Sequence, residues 1–480
     1  MPNWACYRAT RRYALDKPAA IPDDSRDRTR PPSLMTTHRS LPRELLHLAW
    51  PVLIGQAAVM GNGVIDTLMA GRLSSIDLAA VGIGASIYIT IIMTMIGVLL
   101  ALTPVVAHHY GAQRYAEIGA DVRQCAWLAV ALSLLAFVAL KHPDPLLAFS
   151  RLTPEVETKV RAYLDGSAWA VPGVMFFRVF FGFSNGIGRP RPVMSLNLLG
   201  LALKAPLNWV FMYGHFGLPA MGGAGCGWSS AVIMWILAGL AWYWCRRDAD
   251  YAPYGVFARF DWPRLSVLRE FLLLGLPMGA TFLVDVTAFT FMALFIARLG
   301  AETSAAHQIA ANVAVFVFMV PLALGSATGV VVGQALGAGD GRRARHAGFL
   351  GLAVGCGAAA LTSAAIGFGA GPLARFYTSD PVVAAAAASL LAIVAVYHLA
   401  DAVQAVMAQV LRGYKRATVP MVIYALSLWG VGLGGGYLLA LTDSFGAARG
   451  AAGFWIAGVA SLSIAGVGVL AYFLRVSRLP

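Results

Sequence analysis

Two long stretches of the sequence carry no Asp, Glu, Lys or Arg, and they constrain the fold more than any other feature. They run from Leu78 to Gln113 and from Thr303 to Gly339. A helix of roughly 20 apolar residues crosses the hydrocarbon core of a bilayer, so each stretch is long enough to span one. Across the chain 59% of residues are hydrophobic and 12% are charged, whereas soluble domains are about half apolar and a quarter charged. The sequence therefore predicts an integral membrane protein.

Apolar runs bounded by turn residues and charges predict an all-α polytopic protein with twelve transmembrane helices. The predicted spans are 44–70, 78–108, 118–140, 157–185, 191–214, 223–245, 266–297, 303–336, 344–370, 382–411, 418–441 and 447–474. The even-numbered connections together with the chain ends carry more than twice as many Lys and Arg residues as the odd-numbered connections. Because basic loops remain cytoplasmic, we expect a multi-pass protein of the bacterial inner membrane with both termini in the cytoplasm.

The second half of the sequence repeats the first at a spacing of about 226 residues. Pro51 matches Pro277 at this spacing. Later in the sequence the spacing increases by one residue, and Gly186 then matches Gly413. Each half holds six spans, so the halves share one orientation, and transport sites of such repeats lie at the interface between them. We therefore expect two pseudo-symmetric six-helix lobes. The predicted domains are a disordered cytoplasmic tail (1–40), an N-lobe with helices 1–6 (41–250), a cytoplasmic linker (251–265) and a C-lobe with helices 7–12 (266–480).

Three carboxylates lie well inside predicted spans, where a charge costs about 2.5–3.5 kcal/mol on insertion scales. They are Asp66, Asp285 and Asp401, and none aligns with an acid of the other half. A symmetric scaffold therefore does not require them. Intramembrane acids of this kind mark ion or substrate pathways, although each could instead form a structural ion pair with a buried cation.

Other polar side chains accompany these acids. Tyr397 and Gln404 share the helix face of Asp401. Two cations, Arg178 and Lys204, also lie inside spans and could reach a headgroup region or pair with an acid. Lys204 is a candidate partner for Asp66, and Asn208 follows it by one helical turn.

A buried carboxylate can bind a proton, coordinate Na⁺ with other oxygens, or attract a cationic substrate. If the same acids bind both the coupling ion and the substrate, the two compete, and competition under alternating access produces antiport. The sequence has no Walker loop, no His/Cys ligand cluster and no serine elbow. We therefore expect no enzymatic activity and no cofactor other than the coupling ion, Na⁺ or H⁺.

The net charge of +13 lies mainly in the short connections between apolar runs. This is the distribution of a membrane protein, so nucleic acid is not an expected partner. The expected partners are the lipid bilayer and small organic cations, and the protein is expected to be monomeric.

Several segments together resemble the multidrug and toxic-compound extrusion (MATE) family, in its NorM-type branch, over about residues 40–475. They are PVLIGQAAVMGNGVIDTLMAGRLSSIDLAAVGIG, ALTPVVAHHYGAQR, GRPRPVM, PLNWVFMYG and DAVQAVMAQVLRGYKRATVPM. The resemblance implies a V-shaped cavity between two lobes and export of cationic, amphipathic drugs by Na⁺ or H⁺ antiport. The functional acids of the family fall on Asp66, Asp285 and Asp401, its helix-10 tyrosine on Tyr397, and its paired helix-5 asparagines on Lys204 and Asn208.

The resemblance has two departures. Asp285 is one methylene shorter than the usual Glu, and Lys204 stands where an Asn could offer an oxygen to a cation beside Asp66. The first candidate coupling-ion site is therefore Asp285 and Asp401, with Tyr397 in support and Na⁺ as a possible metal, and Asp66 is the second. Asn208, Lys204 and Gln404 are expected to contact substrate or support the acids. The alternative function is a lipid-linked oligosaccharide flippase of the same broad superfamily, which requires basic residues in the cavity and neutralised acids.

Overall fold

The structure is a computed structural model that describes residues 40–147 and 152–478. The disordered tail predicted for residues 1–40 lies outside the described residues except for Ser40. Apolar composition over long runs produces helices throughout, because a helix satisfies all its backbone hydrogen bonds internally in lipid.

The described residues of the first half of the chain form nine α-helices. They are α1 (Leu41–Leu73), α2 (Ser75–Leu99), α3 (Leu102–Gly111), α4 (Tyr115–Lys141), α5 (Asp144–Leu147), α6 (Pro154–Ala168), α7 (Ala170–Gly186), α8 (Pro190–Tyr213) and α9 (Gly225–Arg247). Helices α2 and α3 form one span, Ser75–Gly111. Helices α6 and α7 are bent by 43° at Trp169 and together correspond to the predicted fourth span.

The second half contains seven α-helices and one π-helix. They are α10 (Leu265–Ala297), α11 (Ala301–Gly337), α12 (Gly341–Tyr377), α13 (Pro381–Gly413), α14 (Thr418–Ala425), the π-helix Leu426–Gly434, α15 (Gly435–Leu441) and α16 (Ala451–Val476). The π-helix lies inside the span Thr418–Leu441, and such segments occur frequently at functional sites.

The predicted fold class is confirmed. Within the described part of the chain, 11 helices are long and apolar enough to cross a membrane, or 12 when the bent α6–α7 pair is one span. Each predicted span matches one of these within a few residues. The domain boundaries themselves stay a prediction.

The sequence repeat appears in the structure as two equivalent contacts between the halves. The ring Nε2 of His108 lies 2.7 Å from the carbonyl oxygen of Gly413. The side-chain amide of Gln334 donates to the carbonyl oxygen of Gly186 at 3.0 Å. The repeat aligns His108 with Gln334 and Gly186 with Gly413, so these two hydrogen bonds are related by the pseudo-two-fold axis.

Glycines allow this close approach. A Cβ on Gly111 would overlap the Gln334 carbonyl, and a Cβ on Gly337, its repeat partner, would overlap the His108 carbonyl. The contacts join helix ends on the side of the membrane that carries the loop between α9 and α10. The two halves are therefore in contact on that side.

The loop between α9 and α10, predicted as the linker, packs on α4. Arg123 donates to the Asp261 carboxylate at 2.7 Å, and Trp127 donates to the Asp261 carbonyl at 2.9 Å. Burial alone would raise the pKa of the Asp261 carboxyl, but the Arg123 hydrogen bond holds that pKa below its ordinary value. The connection between the halves is therefore fixed to the first half.

Candidate functional site

Asp66, near the C-terminal end of α1, faces two polar residues of α8. The Lys204 ammonium lies 3.0 Å from Asp66 Oδ1, and the Asn208 amide donates to the same oxygen at 2.7 Å. Lys204 and Asn208 are one helical turn apart, so the sequence of α8 places both on one face. The structure therefore brings together the three residues of the first half that the sequence singled out.

The Lys204 ammonium has further acceptors on α9. It donates to Ser230 Oγ at 2.6 Å, to Ser229 Oγ at 3.2 Å and to the Cys226 carbonyl at 3.3 Å. Ser229 also donates to the Asn208 side-chain oxygen. The Lys204 side chain is only 2% exposed, and that of Asp66 is 14% exposed. The first-half cluster is thus a buried, hydrogen-bonded ion pair without net charge.

The acids of the second half have a different environment. Asp285, in the middle of α10, accepts a hydrogen bond from the Tyr424 hydroxyl of α14 at 2.7 Å. Asp401, in α13, is buried with 8% exposure. Among the described residues neither carboxylate has a Lys, Arg or His within salt-bridge distance, and Asp401 has no hydrogen-bond donor. The charges of these two acids are therefore not compensated by the protein.

Tyr397 lies one turn before Asp401 on α13 and packs among aromatic residues. Its ring meets Trp455 of α16 edge-on, with centroids 5.3 Å apart. Tyr397 and Trp455 line a small cavity together with Met292, Leu428 and Phe454. The π-helix supplies Leu428, so the irregular part of its span forms one wall of this cavity.

Gln404 is buried at 6% exposure but lies away from this cavity. It lines a separate small cavity with Thr281, Arg412 and Met421. This cavity lies nearer to the N-terminal end of α10 and the C-terminal end of α13. The structure therefore does not bring Gln404 into contact with the aromatic group around Tyr397.

Sequence reasoning missed Tyr424, Ser229 and Ser230. A tyrosine hydroxyl inside an apolar span needs a hydrogen-bond partner, and this was the available signal for Tyr424. Hydroxyl side chains in a span often hydrogen-bond to a neighbouring helix, which was the signal for the two serines. Which helix each would face depends on packing, so the partners could not be assigned.

No group of three or more His, Cys, Asp or Glu side chains forms a possible metal site among the residues that the structure describes. Na⁺ binding at Asp285 and Asp401 would need neutral oxygens beside the two carboxylates, and the nearest one identified is the Tyr424 hydroxyl at Asp285. The Na⁺ assignment stays a prediction.

Two repeated halves of membrane-spanning helices with carboxylates buried inside them define a polytopic transporter. A family model described as MatE matches residues 51–210 and 277–438, so the chain belongs to the MatE family. A "Probable multidrug resistance protein NorM" of Aromatoleum aromaticum is 40% identical over 90% of this chain and 93% of its own length. The "Multidrug resistance protein PmpM" of Pseudomonas aeruginosa is 38% identical over 91% and 92%. The family resemblance seen in the sequence is therefore confirmed.

Solved structures support the fold. A structure titled "Crystal structure of MATE in the bent conformation" superimposes with a TM-score of 0.83 at 19% identity, covering 92% of this chain and 96% of that one. Another, titled "Outward-facing conformation of a multidrug resistance MATE family transporter of the MOP superfamily", has a TM-score of 0.82 at 20% identity and covers 91% and 96%.

Proposed function

We propose that this protein is an antiporter that exports organic cations, including toxic compounds and drugs, in exchange for Na⁺ or H⁺. It acts in the bacterial inner membrane with both termini in the cytoplasm. The relatives named NorM, PmpM and MdtK are described as multidrug resistance proteins, which supports this assignment.

One observation carries the proposal. Asp285 and Asp401 are both placed inside the second half, and no cationic side chain among the described residues neutralises either of them. Uncompensated charge inside a membrane protein is costly, so these carboxylates require an external cation or a proton. A coupling ion and a cationic substrate both satisfy that requirement, and they exclude each other.

Exchange follows from this exclusion under alternating access. With the coupling ion bound, the acids are neutral and the site releases an organic cation. With the ion released, the acids attract the next substrate. A transporter that changes conformation only when the acids are neutralised moves the ion and the substrate in opposite directions.

The contacts between the halves describe one of the two conformations. His108, Gln334, Gly111 and Gly337 all lie on the side that carries the loop between α9 and α10. On the proposed topology this side is cytoplasmic. On that topology the halves are in contact on the cytoplasmic side.

The first half contributes less to ion coupling in this proposal. Asp66 already has the Lys204 ammonium at 3.0 Å, so a second cation gains little there. The flippase alternative requires neutralised acids throughout, and only Asp66 meets that requirement, so the uncompensated pair in the second half favours the antiporter.

Drug susceptibility in a host that lacks its own efflux pumps tests the proposal. We expect wild-type protein to raise the inhibitory concentration of cationic dyes and Asp401→Asn to abolish this effect at equal membrane abundance. Asp443→Asn, an exposed acid of the same half, serves as the matched control and should retain full resistance. Full resistance in Asp401→Asn would contradict the assignment.

A further inference from the structure

Arg178 is a cation inside a predicted span, and no acidic residue in the described part of the chain pairs with it. It lies eight residues from either end of α7. Its guanidinium stacks over the Phe181 ring at 5.1 Å. Among the described residues no carboxylate lies within 4.0 Å of it, and none of its N–H groups has a hydrogen-bond acceptor. Lys204, by contrast, has four oxygen partners.

Arg178 lies on a helix that is enclosed by the other helices of the first half. No residue of α7 from Ala170 to Gly186 is exposed, because α2, α3, α4, α8 and α9 pack around it. Arg178 itself is partly exposed. It shares a helix face with Phe181 and Asn185, and both of those residues line a cavity with Gln56 of α1 and Asn197 of α8. The side chain therefore faces the same helices that carry Asp66 and Lys204.

Asn185 adds a second unsatisfied polar group on this face. Both its side-chain nitrogen and its side-chain oxygen are buried without a hydrogen-bond partner in the structure. Buried amides are normally hydrogen-bonded, so the unsatisfied Asn185 amide requires an explanation.

The two halves consequently differ in internal charge. In the first half Asp66 and Lys204 cancel, and Arg178 remains as a positive charge. In the second half Asp285 and Asp401 lie inside α10 and α13 without a cationic partner among the described residues, whereas Arg412 lies in the last turn of α13. A molecule with a cationic group and an anionic group separated by an apolar body matches this arrangement.

We propose that Arg178 is an anion subsite, which binds the carboxylate of zwitterionic amphiphilic substrates while their cationic group faces the second half. The inference rests on the proposed export of organic cations and adds a determinant of specificity to it. A guanidinium suits this role because its planar donors bind a carboxylate in bidentate geometry. Phe181 stacks on one face of the guanidinium.

The test compares two ligands that differ in one charge, a rhodamine with a free carboxylate and its methyl ester. Binding of each dye to the purified full-length protein is measured by fluorescence anisotropy. We expect Arg178→Gln to weaken binding of the acid about tenfold or more, because the charged hydrogen bonds to its carboxylate are lost. Binding of the ester, a pure cation, should be unchanged or slightly tighter.

Two further variants separate this role from a structural one. Arg178→Lys keeps the charge and should recover part of the affinity for the acid. Arg298→Gln is the matched control, because Arg298 also stacks on a phenylalanine, at 5.5 Å, but is exposed at the end of α10. It should leave both dyes unaffected.

An equal loss of both dyes in Arg178→Gln would overturn the proposal, and so would unchanged binding of the acid. A wild-type protein that binds the ester but not the acid would also overturn it while leaving cation export intact. Failure of the wild type to bind either dye would contradict the proposed function and this inference together.

Discussion

The Lys204 ammonium lies 3.0 Å from the Asp66 carboxylate, and the lysine side chain is 2% exposed. The ion pair joins α8 to α1 and, through Ser229 and Ser230, to α9. A buried pair of this kind has a small net effect on stability, but removing one partner leaves the other charge uncompensated.

Lys204→Met should therefore lower the free energy of unfolding by about 3–5 kcal/mol. Adding Asp66→Asn to this variant should restore most of the loss, because neither charge then remains. The thermal unfolding midpoint of the detergent-purified protein measures both effects. A double variant as unstable as Lys204→Met would show that the uncompensated Asp66 charge does not cause the loss of stability.

Lys204→Asn should create a Na⁺ site at Asp66. The amide oxygen would replace the repelling ammonium beside Asp66 and Asn208, whose amide already lies 2.7 Å from Asp66. A ligand that binds the folded state stabilises it, so Na⁺ should raise the unfolding midpoint relative to an equal concentration of choline. The experiment is done with Asp401→Asn also present, so that the second half does not contribute. No Na⁺-specific shift would contradict the prediction.

Tyr424→Phe tests the hydrogen bond to Asp285. The hydroxyl donates at 2.7 Å and stabilises the ionised carboxylate by about 1.5–3 kcal/mol. Its loss should change the concentration of coupling ion that gives half-maximal transport by about tenfold. Tyr437→Phe, in the neighbouring helix α15, is the control and should leave this concentration unchanged. If Tyr424→Phe and the wild type reach half-maximal transport at the same concentration of coupling ion, Tyr424 does not contribute to the site.

The two symmetry-related hydrogen bonds of His108 and Gln334 should hold the halves together on the side of the loop between α9 and α10. Each contributes about 0.5–1.5 kcal/mol, so a double replacement by Ala should shift the conformational equilibrium about tenfold. Ser326, in a cavity between the halves, reports the opening when it is replaced by Cys in a Cys6→Ser, Cys356→Ser background. Its labelling by an impermeant maleimide should accelerate in everted vesicles.

The exposed His346→Ala variant controls for the loss of a histidine on the same side of the membrane. Unchanged labelling in the His108→Ala, Gln334→Ala protein would show that these hydrogen bonds do not control opening.

Most of the fold could be predicted from the sequence, because the physical signals are local and strong. Twenty or more apolar residues in a row specify a span, and the repeat of Gly186 at Gly413 indicates two equivalent halves. The structure also explains that repeat, since both carbonyls accept symmetry-related hydrogen bonds.

The site could be predicted only in part. Asp66, Asp285 and Asp401 stand out because charge inside a span is costly. Their partners depend on how helices rotate against each other, and this is set by packing over the whole chain. Tyr424 was therefore missed, and Gln404, on the helix face of Asp401, lines a different cavity.

The central claim is that Asp285 and Asp401 couple substrate export to an opposing cation. Purified protein in proteoliposomes, with Na⁺ and pH gradients imposed separately, tests this claim most directly. We expect an inward gradient of one ion to drive uphill export of a cationic dye in the wild type, and neither gradient to drive it in Asp401→Asn. Two results would contradict the account. One is export by Asp401→Asn at the wild-type rate, and the other is wild-type export that neither gradient changes.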